Sequence, residues 1–154
     1  MSGLCRALAI LLIAEVAFVP AAAGQSAAEA PPEATIREVL QSQVEAWNRH
    51  DLEGFMAGYW NSPDLTFFSG ATETHGWQAT LDRYRKKYQA PDAEMGRLDF
   101  RDLQVEMLGT KAGFVRGKFL LTLSNGKQPH GLFTLIFREF PEGWRIIHDH
   151  TSGE

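Results

Sequence analysis

The chain is almost without cysteine: Cys5 is the single one among 154 residues. Beyond position 5 it can form no internal disulfide and offers no thiol nucleophile or thiolate metal ligand. An excess of basic charge is also missing. Fifteen Lys and Arg stand against nineteen Asp and Glu, a formal net charge of −4, which is the wrong sign for a nucleic-acid footprint. There is no internal repeat, no Gly-rich phosphate loop and no nucleophile elbow. The main apolar run, Ala7 to Val19, is short and carries Glu15, so it does not read as a membrane-spanning helix.

That run reads instead as part of an export signal. Arg6 supplies a basic start, Pro20 breaks the apolar stretch, and Ala21-Ala22-Ala23 offers small residues for cleavage. Residues 1–24 are therefore expected to be a signal peptide, 25–33 a Pro-containing linker, and 34–154 one domain. A secreted or periplasmic protein is expected, with no membrane association after cleavage. Cys5 precedes the apolar run, where a lipid-bearing cysteine should follow it.

Hydrophobic spacing places the elements. Ile36, Val39, Leu40, Val44 and Trp47 recur with helical period, predicting a helix from about Pro32 to Asn48. Asp51 is suited to cap a second, short helix carrying Leu52, Phe55, Met56 and Tyr59. Leu65 to Ser69 reads as a short strand and Gly70 to Gly76 as a loop. Trp77, Leu81, Tyr84 and Tyr88 then mark a third helix, whose face with Asp82, Arg83, Arg85, Lys86 and Lys87 reads as solvated.

After Met95 the pattern is strands. Leu98 and Phe100 alternate, then the phase slips to Leu103, Val105 and Met107, which predicts a β-bulge near Arg101–Asp102. Phe114 to Leu123, His130 to Phe140 and Gly143 to Gly153 follow, with Asn125-Gly126 as a hairpin signal. The expected fold class is α+β: a cone-shaped barrel of three N-terminal helices on a curved, mainly antiparallel sheet.

The last strand is the most suggestive part. Strand alternation puts Trp144, Ile146, His148 and His150 on one face, either as a core with two satisfied histidines or as the wall of a pocket. Arg116 lies mid-strand, where it grips an anion in a cavity, forms an internal salt bridge to a glutamate, or sits exposed on the convex face. His75, before the third helix, is a candidate for the mouth of the cone, and Tyr59, Trp60, Phe67, Phe68, Tyr84 and Tyr88 supply an aromatic set. No metal and no cofactor are expected, because a metal would need a third ligand such as His130 or His75 beside His148 and His150.

Several stretches together resemble a known family. Trp47-Asn48-Arg49-His50-Asp51-Leu52-Glu53-Gly54-Phe55 is similar to the joint between the first two helices of the nuclear transport factor 2-like superfamily. The spacing to Pro63-Asp64, Thr74-His75-Gly76-Trp77 and Arg83-Tyr84 is similar to its SnoaL-like, polyketide-cyclase-like branch. The closing Gly143–Gly153 stretch resembles the end of the association domain of calcium/calmodulin-dependent protein kinase II. The resemblance implies a cone with an internal pocket, commonly paired as a homodimer through the outer sheet face. It also implies that Arg116 matches the pocket arginine of the association domain. The ketosteroid-isomerase branch uses an aspartate base with tyrosine and a protonated acid as oxyanion donors, a trio the sequence does not place.

Three functions follow as expectations. The first is binding of a small, partly apolar ligand, with Tyr59, Phe68, Tyr84, Arg116, His130 and His148 lining the cavity. The second is an isomerase, cyclase or lyase with His148 or His150 as general base. The third is an oligomerisation module.

Overall fold

A computed structural model describes residues 30–153. The signal peptide expected over 1–24 lies outside the described residues. Helix α1 spans Pro32–Asn48, α2 Leu52–Met56 and α3 Trp77–Tyr88. Six strands follow the order β1 Thr66–Ser69, β2 Thr72–His75, β3 Arg97–Met107, β4 Ala112–Thr122, β5 His130–Phe140 and β6 Gly143–Gly153. They form one sheet in the order β2-β1-β6-β5-β4-β3, antiparallel except where β1 runs parallel to β6. The helices lie on its concave face, giving the expected α+β cone.

Local chemistry explains the helical joint. Proline opens α1, where its missing N–H costs nothing. The Asp51 carboxylate accepts from the Gly54 amide at 2.8 Å, capping α2 as expected. At the end of α1, Asn48 acts as a strand mimic, donating to the Leu98 carbonyl at 3.1 Å and accepting from the Leu98 amide at 2.8 Å. Trp47 donates its indole N–H to the Met95 and Gly96 carbonyls, both at 3.2 Å, so α1 is fastened to the start of β3. Ile36, Leu40, Leu52, Met56, Leu65, Val115, Phe137 and Ile146 fill the core beneath.

The segment expected as a loop over Gly70 to Gly76 contains β2. Gly70, at φ 58°, opens a two-residue turn, and Ser69 pairs with Thr72. The strand escaped the pattern because Thr72-Glu73-Thr74-His75 has no apolar alternation: it is an edge strand with three of its four residues exposed.

Two bulges bend the sheet. The predicted one is present: Arg101 pairs with Lys118 and Gln104 with Arg116, leaving Asp102 and Leu103 opposite Gly117, and Asp102 adopts φ 53°. A second, unpredicted bulge lies in β6. Ile136 pairs with His148 but Phe137 pairs with Ile146, so Ile147 is the extra residue. Trp144 and Ile146 therefore point inward, as do Asp149 and, less completely buried, Thr151. His148 and His150 turn to the outer face. This corrects the expectation of a single face shared by Trp144, Ile146, His148 and His150.

Gly117 holds the first bend open. A Cβ there would sit 2.5 Å from the Phe133 ring and 2.9 Å from Leu103. We expect Gly117→Ala to destabilise the fold by about 1–3 kcal/mol, as overpacked sites do. A fall in the urea midpoint at unchanged slope checks it.

Candidate functional site

Between the helices and the sheet lies a cavity of about 610 Å³. Its walls are aromatic: Trp47, Phe55, Phe67, Tyr84, Tyr88, Phe100, Phe119 and Phe133 all contribute. The rings meet mostly edge to face, Trp47 on Phe55 at 5.1 Å and Phe55 on Tyr84 at 5.3 Å, while Phe67 stacks on Tyr84 at 5.5 Å.

Asp149 is the polar centre of this space. It is 3% exposed, and it is the only buried carboxyl among the described residues. The Tyr59 hydroxyl donates to its Oδ2 at 2.7 Å and the Thr151 hydroxyl to its Oδ1, also at 2.7 Å. Backbone bonds fix this geometry. Trp60 N donates to the Ile146 carbonyl and Ile146 N to the Gly58 carbonyl, each at 2.9 Å, so Tyr59 is clamped beside β6 just before its bulge. Tyr84 approaches from α3, close enough to both Tyr59 and Asp149 for each to shift its ionisation.

Burial dominates the electrostatics. Desolvation pushes the Asp149 carboxyl up to about 6, against the opposing pull of the two hydroxyl donors and the nearby His150. Burial, followed by the charge of Asp149, raises the Tyr59 and Tyr84 phenols well above their ordinary value, so both remain O–H donors at neutral pH. An acid poised near neutrality beside two phenols can accept a proton from a bound molecule and return it.

The expected site residues divide between the two faces. Tyr59 and Tyr84 line the cavity. Phe68 does not: its neighbour Phe67 points inward, and Phe68 lies on the outer face with its ring 5.1 Å from that of His148, 6.2 Å from His150 and 6.5 Å from His75. His148 bonds to the Thr66 hydroxyl through Nδ1 at 2.6 Å, and partial burial followed by the charge of His150 lowers its basicity. His150 is exposed, and so is His75, which has Glu73 at 3.5 Å. Arg116 is exposed on the convex side, bonded to Glu106 at 3.2 Å. Even positions of β4 face outward there, since Val115, Gly117 and Leu121 face in. His130, at the exposed start of β5, pairs with the Gln128 carbonyl. Among the described residues no group of His, Cys, Asp and Glu is arranged to hold a metal.

The reading of residues in order missed Asp149, Thr151, Arg83 and Lys87. A signal for the first two existed. The adjacent pair Ile146-Ile147 interrupts alternation just as Arg101–Asp102 does, and the resulting slip brings Asp149 inward.

The model of the SnoaL-like domain matches residues 36–153. The chain belongs to the SnoaL-like domain family. Its structure is similar to that of a nuclear transport factor 2-like protein of unknown function from Shewanella oneidensis. The two are 35% identical, with a TM-score of 0.73, over 79% of this chain and 99% of that one. A nuclear transport factor 2-like superfamily protein from Salmonella enterica is 19% identical, with a TM-score of 0.59 over 79% of this chain and 88% of that one. A cystatin-like fold protein of unknown function from Nostoc punctiforme shares the fold at 9% identity, with a TM-score of 0.65 over 79% and 90% of the two chains. No curated protein matches the chain.

The raised Asp149 carboxyl makes stability depend on pH. The folded state holds this proton more tightly than the unfolded chain, so its contribution favours folding at low pH and is lost as pH rises from near 3.8 through about 6. We expect Asp149→Asn to be more stable than the parent near neutrality. The gap should widen by about 2 kcal/mol between about pH 4.5 and pH 7.5. Urea unfolding of both proteins at the two pH values measures it.

Proposed function

We propose that this SnoaL-like domain binds a small, partly apolar carbonyl compound in its cone cavity and moves a proton on it, with Asp149 as the base. The observation that carries the reading is a carboxyl buried in an aromatic chamber and bonded to a phenol at 2.7 Å, where desolvation pushes it up to about 6. Burying such a group costs stability, and acids shifted in this way gather where protons are transferred. In the ionised form Asp149 takes a proton from the carbon beside the carbonyl. The electron pair moves to the carbonyl oxygen, which accepts a hydrogen bond from Tyr84, and Tyr59 holds the carboxyl in place. Return of the proton to another carbon gives an isomerase, and loss of a leaving group gives a lyase. Asp149 takes the role that the strand pattern suggested for His148 or His150.

Export and pairing extend the proposal. The signal-like features of residues 1–24 support release outside the cytoplasm. The outer sheet face supports a homodimer: Leu132 is 58% exposed there, with Ile136 further along the same strand and its β4 partner Phe114 half-buried. Native mass spectrometry of residues 25–154 is expected to give a dimer, and Leu132→Asp a monomer.

For the chemistry, 2-tetralone is a suitable probe, being bicyclic, uncharged and activated at the carbon between ring and carbonyl. Proton NMR in deuterated buffer is expected to show faster exchange at that carbon with the protein than without it. Asp149→Asn should reduce the acceleration by about 100-fold or more. Exchange no faster than buffer, with 2-tetralone still quenching the tryptophan fluorescence, would leave binding as the function and remove the proton transfer.

A further inference from the structure

Two cations at the rim of the cavity have no part in the proton transfer. Arg83 and Lys87 are one helical turn apart on α3, and both line the cavity beside Tyr84 and Tyr88. Arg83 is half-buried. Its Nη1 donates to the Thr74 hydroxyl of β2 at 2.9 Å, and its guanidinium carbon lies 5.2 Å from the Phe67 ring centroid. A hydroxyl and an aromatic face hold this group in place without neutralising it.

The carboxyls facing the cavity do not neutralise it either. Among the described residues no carboxylate lies within 4.0 Å of Arg83 or Lys87. Glu94 is occupied elsewhere: its Oε1 accepts from the Ser124 amide at 2.6 Å and its Oε2 from the Ser124 hydroxyl at 3.1 Å. Asp149 is buried and accepts from Tyr59 and Thr151. The site is thus polarised, with a fixed cation at the rim and a titrating acid within.

We infer that the cavity selects amphipathic organic anions. An apolar ring system fills the aromatic chamber, its carboxylate or sulfonate lies at the rim on Arg83 with Lys87 beside it, and its uncharged end reaches Tyr84 and Asp149. Arg83 is the specificity residue, because a guanidinium bonded to Thr74 through one N–H keeps donors for a paired bond to an anion. Asp149 sets the orientation by repelling a second carboxylate. The inference rests on the reading that this cavity binds small molecules, but it does not depend on proton transfer.

Isothermal titration of the whole chain with 2-naphthoate and its neutral isostere 2-naphthamide separates the two. At low salt the naphthoate is expected to bind about tenfold or more tightly than the amide. The ratio should shrink as sodium chloride is added. Arg83→Gln should weaken the naphthoate far more than the amide and so bring the two close together, while Arg83→Lys should keep part of the preference. Equal binding of the two probes to the unaltered protein overturns the anion selection and leaves the cavity as a binding site. Failure of both probes to bind removes the cavity reading and the inference together. A naphthoate preference that survives both Arg83→Gln and Lys87→Gln overturns the assignment to this rim.

Discussion

One residue too many in β6 determines what this cone can do. Side chains on a strand alternate, so inserting Ile147 opposite a continuous β5 exchanges the faces of everything after it. Before the bulge, Trp144 and Ile146 seal the core. Beyond it, Asp149 enters the interior and two imidazoles leave it. The bulge is held from the other side as well, because Ile146 is bonded through both its amide and its carbonyl to the segment that carries Tyr59. The partner of the acid and the turn that aims the acid are therefore one construction.

The same construction explains why a carboxyl is tolerated among so many rings. Two hydroxyls occupy its oxygens, so the group is satisfied geometrically although it is poorly solvated. Satisfaction holds it in place, while poor solvation keeps its affinity for a proton high. The aromatic walls are thus part of the electrostatics, since the apolar surroundings that suit a ring system also move the acid into the neutral range. The rim cation is positioned differently, by an edge strand and a ring, where water still reaches it.

Much of the fold was legible because it is written in apolar spacing. Helix α1, the Asp51 cap, the β3 bulge and the boundaries of β5 and β6 all follow from period and turn chemistry. Strand β2 was not legible, since Thr72-Glu73-Thr74-His75 carries no apolar side chain and exists through its pairing with β1. The site was legible only in part. Tyr84 lies on a helix whose face the spacing defines, while Tyr59, expected on the second helix, lies just past its end and is aimed inward by its bridge to Ile146. Phe68, Arg116, His130 and His148 lie on strands, where a slip of one residue or a wrong choice of face changes inside to outside. Arg83 was read as solvated because a charge on an amphipathic helix usually is, and only the strand packed beside it turns that face into a rim.

Chain order and sheet order also differ. Strand β6, the last of the described elements, lies in the middle of the sheet between β1 and β5. Until β6 is in place, β1 and β5 each present an unpaired edge. Tyr59 is without its acid partner until the same step. Seating β6 therefore completes the aromatic chamber and closes two sticky edges in one step, so molecules caught before that step are the form most prone to aggregate.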